Sequence, residues 1–226
     1  MREKSIYCRF VKGAIDRFLA AVGIICFSWL YLIPAIAIKI DDPKGPVIFK
    51  QERLGKNGKV YWMYKFRSMK VGAEHTGSGV YSNDKDDRIT RIGHFLRKTS
   101  LDEIPQLFNI LKGDMSFVGP RPALWNQFDL IEARDRYGAN DVPQGLTGWA
   151  QVNGRDEVSI ARKAELDGEY AKKISFLFDC KCMLLTVGSV LRHRGVVEGG
   201  TGELERRTKE RGALNSAEEI NDARNG

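Results

Sequence analysis

An almost unbroken apolar stretch, residues 18–38, is the feature that most constrains this chain. Of its 21 residues 18 are hydrophobic, the exceptions being Gly23, Ser28 and Pro34. As one helix it would be about 30 Å long, at roughly 1.5 Å per residue, which matches the hydrocarbon core of a bilayer. A cleaved signal peptide has a shorter apolar region and a small-residue cleavage site, whereas this stretch runs into KIDD at 39–42. We therefore expect a membrane segment that is retained.

The charges on either side of the stretch indicate how it meets the membrane. Residues 1–17 carry five basic and two acidic side chains, and residues 39–59 carry six basic and three acidic. Because basic flanks tend to stay cytoplasmic, a helix that bends midway and leaves by the face it entered satisfies both ends. Ser28, which can bond back to a helix carbonyl, and Pro34, which lacks an N–H, both favour such a break. A straight anchor with a mild proline kink is the alternative.

The rest of the chain has the composition of a modest globular domain. Its 36 basic and 29 acidic residues give a net charge of +7, which suits anionic partners without identifying them. The four cysteines are Cys8, Cys26, Cys180 and Cys182. One lies in the apolar stretch and two are nearly adjacent, so we expect a reduced context and no disulfide framework. The three histidines are scattered, which argues against a zinc site.

Local patterns predict a mostly helical α+β fold with one small β-hairpin. Residues 46–52 and 60–66 have strand character, and the Asn-Gly pair at 57–58 between them is a strong hairpin signal. The polar residues 71–90 predict a loop. We expect helices over 91–98, 103–112, 122–138 and 157–173. The apolar segment 174–192 suits either a buried helix or an amphipathic helix in a membrane interface.

The run LRKTSLDEIP at 96–105 carries the most chemistry. Ser100 and Glu103 have the spacing of a capping box, so helix capping alone would explain both acidic residues, Asp102 and Glu103. The same arrangement also suits catalysis. A carboxylate at a helix N-terminus stays ionised and can act as an oxygen nucleophile, and an adjacent glutamate is an oxygen ligand for Mg²⁺ bound to phosphates.

Basic and polar residues around this run supply candidate phosphate and substrate contacts. Arg97, Lys98 and Arg121 could neutralise phosphate oxygens, with Arg121 held on the stiff turn GPRP at 119–122, although an ordinary surface charge is the alternative. In GLTGWAQVNGR at 145–155, three glycines allow a close approach to a ligand. Its polar candidates are Gln151, Asn153 and Arg155. The alternative is a glycine-bounded strand with Trp149 in the core.

Together these motifs resemble the bacterial sugar transferase family, the small monotopic phosphoglycosyl transferases. The resemblance covers roughly residues 10–195, and its two most specific motifs are residues 88–122 and 145–155. It also includes GPVIF at 45–49, QERLGKNGK at 51–59 and YKFRSM at 64–69. The family implies a re-entrant N-terminal helix, in agreement with the flanking charges. We expect residues 1–42 to form the membrane region and 43–202 the catalytic domain. Residues 203–226 are charged and weakly apolar, so we expect a polar, mobile tail.

The resemblance also implies a reaction and a site. A sugar-1-phosphate would pass from a UDP-sugar to undecaprenyl phosphate, with release of UMP, at the cytoplasmic face of the bacterial inner membrane. Asp102 falls on the family's nucleophile and Glu103 on its Mg²⁺-binding acid. Arg97 and Arg121 match its phosphate-contacting arginines, and Arg67, in YKFRSM, is assigned to the same task.

One departure from the family pattern and several questions remain. The family's helix break is commonly Ser-Pro, whereas here Ser28 is followed by Trp29 and the proline comes at Pro34. A membrane-anchored adaptor that binds anionic lipid or nucleic acid is one rival function, although we expect no nucleic-acid partner. A phosphohydrolase is another. The sugar, the pathway and the oligomeric state, a homodimer included, are left open.

Overall fold

A computed structural model describes residues 6–73, 87–154 and 158–191. Within these ranges the chain forms eight α-helices and four short strands, which confirms the mostly helical α+β class with a small hairpin. Most of the predicted loop 71–90 and the whole predicted tail 203–226 lie outside the described residues.

The apolar stretch folds as two helices with a sharp bend between them. Helix α1 spans Lys12–Cys26, preceded by a π-helical turn at Tyr7–Val11, and α2 spans Trp29–Asp41. Within the described residues, neither helix alone has the length and hydropathy that a membrane span requires, but the pair Tyr7–Cys26 and Trp29–Asp41, bent by 62°, has them together.

The bend lies one turn earlier than a proline break would place it. Phe27 leaves the helical region (φ −111°, ψ 27°), and its neighbour Ser28 makes no side-chain capping bond to α2. Pro34 lies inside α2, so the prediction that it belongs to the break is wrong. Pro34 is the sixth residue of α2, so its missing N–H removes the bond to the Leu30 carbonyl, a cost that α2 bears without ending there.

The predicted hairpin is confirmed. Strand β1, Ile48–Leu54, pairs antiparallel with β2, Val60–Phe66, with Leu54 opposite Val60. Asn57 and Gly58 both have positive φ in the turn, which explains why this dipeptide is such a strong signal. One strand of the hairpin, β2, carries a residue of the candidate site.

The other elements follow in chain order. They are α3 Arg91–Lys98, α4 Gln106–Lys112, β3 Ser116–Val118, α5 Phe128–Asp135, β4 Gly145–Thr147, α6 Trp149–Val152, α7 Ile160–Lys173 and α8 Phe176–Leu191. The helices predicted over 91–98 and 157–173 are therefore present. That predicted over 122–138 is shorter, because the chain enters α5 through an irregular segment that follows Pro122.

Three glycines allow β3 and β4 to meet as a parallel pair. A Cβ at Gly145 would collide with the backbone of Gly119, and one at Gly148 would collide with the Gly119 carbonyl. Gly145 and Gly148 thus permit a close approach between their own backbone segment and the backbone of Gly119. For these two glycines the expectation of a close approach to a ligand is wrong.

A network of buried polar groups joins α1 to the C-terminal helices. Lys12 Nζ lies 2.6 Å from the carboxylate of Asp179 on α8, and Tyr170 OH on α7 donates to the same carboxylate at 2.7 Å. Ser116 Oγ on β3 donates to Asp16 on α1 at 2.7 Å. Because a buried ion pair is costly to break, the N-terminal helix pair is held firmly against the rest of the molecule.

Helix α8 is buried on one side and exposed on the other. Cys182 is fully buried, whereas Leu177 and Leu184 are 79% and 74% exposed. On α1 and α2 the large exposed apolar residues include Phe18, Ile25, Trp29, Leu32, Ile33 and Ile36. Exposed apolar surface on this scale is typical of a surface that contacts another apolar phase.

Candidate active site

The two acidic residues of the central motif are buried in a tight turn. Asp102 is 3% exposed and Glu103 9%, and both lie in a 3₁₀ turn, Leu101–Glu103. Ser100 precedes the turn with φ +56° and makes no capping bond, so the predicted capping box is wrong. Helix α4 starts only at Gln106, after Pro105, because proline is tolerated at a helix start and not in its interior.

Two cations from distant parts of the chain contact one oxygen of Glu103. Lys65 Nζ on β2 lies 3.0 Å from Oε1, and Arg121 Nη2 donates to the same atom at 2.8 Å. Burial alone would raise the pKa of Glu103, but the two cations hold it well below its ordinary value. Glu103 is therefore a carboxylate at any physiological pH.

Asp102 has the opposite electrostatic balance. Burial raises its pKa above the ordinary aspartate value, and the neighbouring Glu103 charge adds to this effect. The positive charges of Lys65, Arg97 and Arg121 act against it. Asp102 lies before helix α4, so the helix N-terminus does not explain its charge state. The three basic side chains favour the ionised form, but burial outweighs them and leaves the pKa of Asp102 raised.

Asn109 explains how a lysine of the hairpin reaches the acid pair. This fully buried residue of α4 accepts from the backbone N–H of Tyr64 at 3.0 Å and donates to the carbonyl of Trp62 at 2.7 Å. Its amide group thus pairs with β2 as a neighbouring strand would. Lys65 follows directly, so this docking places its ammonium group beside Glu103.

The turn that carries Arg121 is held by the end of the hairpin. Arg53 Nη1 donates to the carbonyl of Pro122 at 3.1 Å, and the N–H of Leu54 donates to the carbonyl of Ala123 at 3.0 Å. The side chain of Arg121 is about one third exposed. It can therefore contact Glu103 and a molecule arriving from solvent.

The remaining predicted site residues are placed elsewhere. Arg67 is buried and paired with Asp42, its Nη2 donating to the Asp42 carbonyl at 2.5 Å, so it links the hairpin to the end of α2 instead of joining the acid pair. Asn153 is exposed and donates to the Trp149 carbonyl at 2.8 Å. The amide atoms of Gln151 are buried and lack a hydrogen-bond partner among the described residues. Arg155 lies outside the described residues.

Trp149 lies between helices α7 and α8. Its indole N–H donates to Glu169 at 2.9 Å, and its ring lies 5.0 Å from that of Phe178. The structure thus favours a packing role for Trp149, although it begins a short helix and is not part of the strand. Lys65 is the site residue that sequence reasoning missed, although the YKFRSM motif contained it.

The acid pair offers carboxylate oxygens, the ligands that a magnesium ion prefers. The described residues contain no group of three or more His, Cys, Asp and Glu side chains close enough to hold a metal. Asp102 and Glu103 are two adjacent carboxylates, and Mg²⁺ commonly takes one or two carboxylates together with substrate phosphates and water. The two carboxylates therefore fit an ion that is bound jointly with a phosphorylated ligand. Glu103 would then bind the ion in addition to contacting Lys65 and Arg121.

A cavity of about 660 Å³ lies away from the acid pair. It is lined by charged residues at the end of α2 and the start of α3, among them Asp42, Lys70, Arg91 and His94. Asp41, at its rim, accepts from the Ile92 N–H at 3.0 Å and so caps α3. Neither acidic residue of the central turn lines this cavity, so the candidate active site is defined by its chemistry and not by cavity volume.

Comparison with known proteins places these features in context. A family model described as bacterial sugar transferase matches residues 7–193. The uncharacterised sugar transferase EpsL of Bacillus subtilis is 40% identical over 177 residues, which cover 78% of this chain and 86% of that protein.

The names of two longer relatives state the reaction that those proteins catalyse. The UDP-glucose:undecaprenyl-phosphate glucose-1-phosphate transferase of Xanthomonas campestris is 38% identical over 84% of this chain and 40% of its own length. The UDP-N-acetylgalactosamine-undecaprenyl-phosphate N-acetylgalactosaminephosphotransferase of Aeromonas hydrophila is 39% identical over 80% of this chain and 44% of its own. The chain thus spans less than half the length of both.

Proposed function

The chain belongs to the bacterial sugar transferase family, and we propose that it transfers a sugar-1-phosphate from a UDP-sugar to undecaprenyl phosphate, releasing UMP. The buried acid pair, surrounded by Lys65, Arg97 and Arg121, is the observation that carries this proposal. The names of the two longer relatives supply the acceptor and the class of donor. Both substrates carry phosphate, which suits a site with three cations.

The chemistry is a double displacement on phosphorus. A carboxylate oxygen of Asp102 attacks the β-phosphorus of the UDP-sugar, the bond from that phosphorus to the bridging oxygen breaks, and UMP leaves with its electron pair. An oxygen of undecaprenyl phosphate then attacks the aspartyl phosphosugar and releases the Asp102 carboxylate. Covalent catalysis of this kind splits one difficult transfer into two easier ones.

The neighbouring groups act on the charge of both steps. Arg121 and Lys65 would contact phosphate oxygens while retaining Glu103, and the positive charge of Arg97 favours the ionised form of Asp102. Prearranged positive charge in a buried site stabilises the developing charge of the transition state. Mg²⁺, held by Glu103 and the donor phosphates, would neutralise phosphate charge there.

The proposal includes a location at the cytoplasmic face of the bacterial inner membrane. The bent pair α1–α2 enters and leaves the bilayer by one face, and the exposed side of α8 lies in the interface. The flanking basic residues and the exposed apolar side chains support this arrangement. Arg9→Cys and Lys44→Cys, each made in a chain without its native cysteines, test this topology. Both should react with a maleimide supplied from the cytoplasmic side, and neither should react with one supplied from the periplasmic side.

The decisive experiment measures UMP release from a panel of UDP-sugars, with Mg²⁺ and undecaprenyl phosphate. Release from one donor, dependent on the lipid and reduced by on the order of 10³-fold or more in Asp102→Asn, supports the proposal. Asp129→Asn, a change of the same kind on the exposed face of α5, is the control. Repeated turnover to UMP without lipid would indicate a phosphohydrolase, and undiminished release in Asp102→Asn would exclude Asp102 as the nucleophile.

The covalent step has its own test. Without acceptor lipid, stoichiometric donor should yield about one UMP per active site, with the labelled sugar phosphate retained on the denatured protein. The Asp102→Asn protein should retain no labelled sugar phosphate. Steady release of UMP only after lipid addition, with no retained label, would favour direct transfer in place of the aspartyl intermediate.

A further inference from the structure

We propose that Arg134, a residue outside the acid pair and its cations, positions Arg121 for phosphate binding. The inference rests on the proposed function for the role of Arg121, and on the structure alone for the contact. Arg134 lies on α5 and is 1% exposed. Its Nη1 donates to the backbone carbonyl of Arg121 at 2.9 Å.

A buried ion pair fixes the guanidinium group of Arg134. Its Nε and Nη2 donate to Asp167 Oδ2 on α7 at 2.8 and 2.6 Å, and the side chains of both residues are 1% exposed. Planar guanidinium groups can contact a carboxylate on one edge while donating elsewhere with the other. Arg134 uses this property to join Asp167 to the turn that carries Arg121.

The packing of α5 and α7 makes this reach possible. Gly168, next to Asp167, lies so close to the side chain of Tyr137 that an added Cβ would collide with it. The chain just beyond α5 therefore lies against α7, which brings the Asp167 carboxylate to the guanidinium group. The pair is part of the packing of these two helices and does not depend on flexible side chains meeting in solvent.

The turn at Arg121 is held through hydrogen bonds to its carbonyls and through the Gly119 N–H, which donates to the Thr147 carbonyl at 2.8 Å. Pro120 and Pro122 have no N–H to donate. The carbonyls of Pro120, Pro122 and Ala123 accept from Gly145 N, Arg53 Nη1 and Leu54 N. The carbonyl of Arg121 accepts from Arg134, so Arg134 restrains the backbone of the residue that bears the phosphate-binding cation, while Glu103 contacts its side chain.

The distinguishing property of a positioning residue is that it acts through another residue. Replacing Arg134 by lysine keeps a positive charge for Asp167, but a single ammonium group cannot span both Asp167 and the Arg121 carbonyl. Arg121 should then bind phosphate less well while the protein stays folded. If Arg121 is already alanine, the loss of its restraint should change nothing further.

The test is therefore a double-mutant cycle read as kcat/KM for the UDP-sugar. Arg134→Lys should lower kcat/KM about tenfold in the native background, which corresponds to about 1.4 kcal/mol, and by less than twofold in an Arg121→Ala background. Equal losses in both backgrounds would overturn the proposal, because a purely structural defect is independent of Arg121. Asp179→Asn, which weakens the separate Lys12–Asp179 pair, is the structural control and should give equal losses in both.

Two further measurements keep the result interpretable. Arg136→Lys, a change on an exposed residue near the end of α5, should have no effect on kcat/KM. If Arg134→Lys does not fold, as judged by circular dichroism and melting, Asp167→Asn replaces it, because it loosens the same guanidinium while keeping the shape of the side chain.

Failure of the proposed function is distinguished by a readout without substrate. In protein labelled with ¹⁵N-arginine, Arg134→Lys should shift or broaden the guanidinium resonance of Arg121, while Arg136→Lys leaves it in place. An unmoved Arg121 resonance overturns the positioning role whether or not the protein releases UMP. If the Arg121 resonance moves but the protein turns over no UDP-sugar, the positioning role of Arg134 stands and the proposed function is rejected.

Discussion

Lys65 Nζ lies 3.0 Å from Glu103 Oε1, although 38 residues separate the two along the chain. The contact links the hairpin to the turn that bears the acid pair. Lys65 is also, after burial, the foremost influence on the pKa of Asp102, which it lowers. One lysine thus stabilises the charge of Glu103 and favours the ionised form of the proposed nucleophile.

The first prediction concerns the pH dependence of Lys65→Met. Asp102 must be ionised to attack, so kcat/KM should rise with pH through the pKa of Asp102. The pKa of Glu103 is held below its ordinary value, so Glu103 is ionised throughout and this limb belongs to Asp102. Removing the lysine charge raises the pKa of Asp102, so the limb should move to higher pH by roughly one unit.

The measurement is the pH–rate profile of UMP release between about pH 5 and 9. Lys56→Met, which removes an exposed charge from the turn of the same hairpin, should leave the limb in place. A limb that stays fixed in Lys65→Met, or moves to lower pH, would contradict this assignment.

The second prediction compares two glycine-to-alanine changes. Gly145→Ala places a methyl group against the backbone of Gly119, which cannot rotate away, so we expect a loss of about 1–3 kcal/mol or more in unfolding free energy. Gly188→Ala in α8 meets nothing within 4 Å and should be neutral or stabilise by up to about 1 kcal/mol. Thermal melting in detergent measures both, and similar losses at the two sites would contradict the packing argument.

The third prediction compares the effect of a serine-to-glycine change on the unfolding free energy at two positions. Ser100 has φ +56°, a conformation that glycine adopts without strain and serine does not, so Ser100→Gly should raise the unfolding free energy by roughly 0.5 kcal/mol. Ser189 lies in α8 and donates to the Leu185 carbonyl, so Ser189→Gly should lower it by about 0.5 kcal/mol. Chemical denaturation should therefore give opposite signs, and two losses would show that Ser100 is not strained.

Local chemistry accounts for what the sequence predicted correctly. The hairpin follows from Asn57-Gly58, whose positive φ values few other residues adopt, and α3 appears where it was expected. The acid pair was found because its motif is specific. In these cases the deciding interactions lie within a few residues, where sequence patterns are informative.

Long-range packing accounts for what the sequence did not predict. The meeting of Lys65 with Glu103 depends on Asn109 pairing with β2, which no local pattern encodes. Arg67 matches a phosphate-binding motif, yet Asp42 lies nearer to it in the fold than the acid pair does. The break was predicted at Ser28 and Pro34, and only Ser28 lies at the bend, because α2 continues through Pro34.

The last prediction tests whether Asn109 holds Lys65 in place. Asn109→Asp keeps the shape and the acceptor for Tyr64 N–H but loses the donor to the Trp62 carbonyl, so a carboxylate would face a carbonyl in a buried site. We expect a loss of about 2–4 kcal/mol in unfolding free energy at pH 8. Because a protonated carboxyl group can donate again, the difference from the native protein should shrink as the pH falls towards 5.

Activity and a matched control complete the test. A shifted β2 would move Lys65 away from Glu103, so Asn109→Asp should also lower kcat/KM for the donor by roughly tenfold at a temperature where the variant is folded. Asn153→Asp removes a similar donor from an exposed turn and should cost less than about 0.5 kcal/mol. Equal stability losses at Asn109 and Asn153, or full activity in a destabilised Asn109→Asp protein, would show that the docking of α4 on β2 does not position the site.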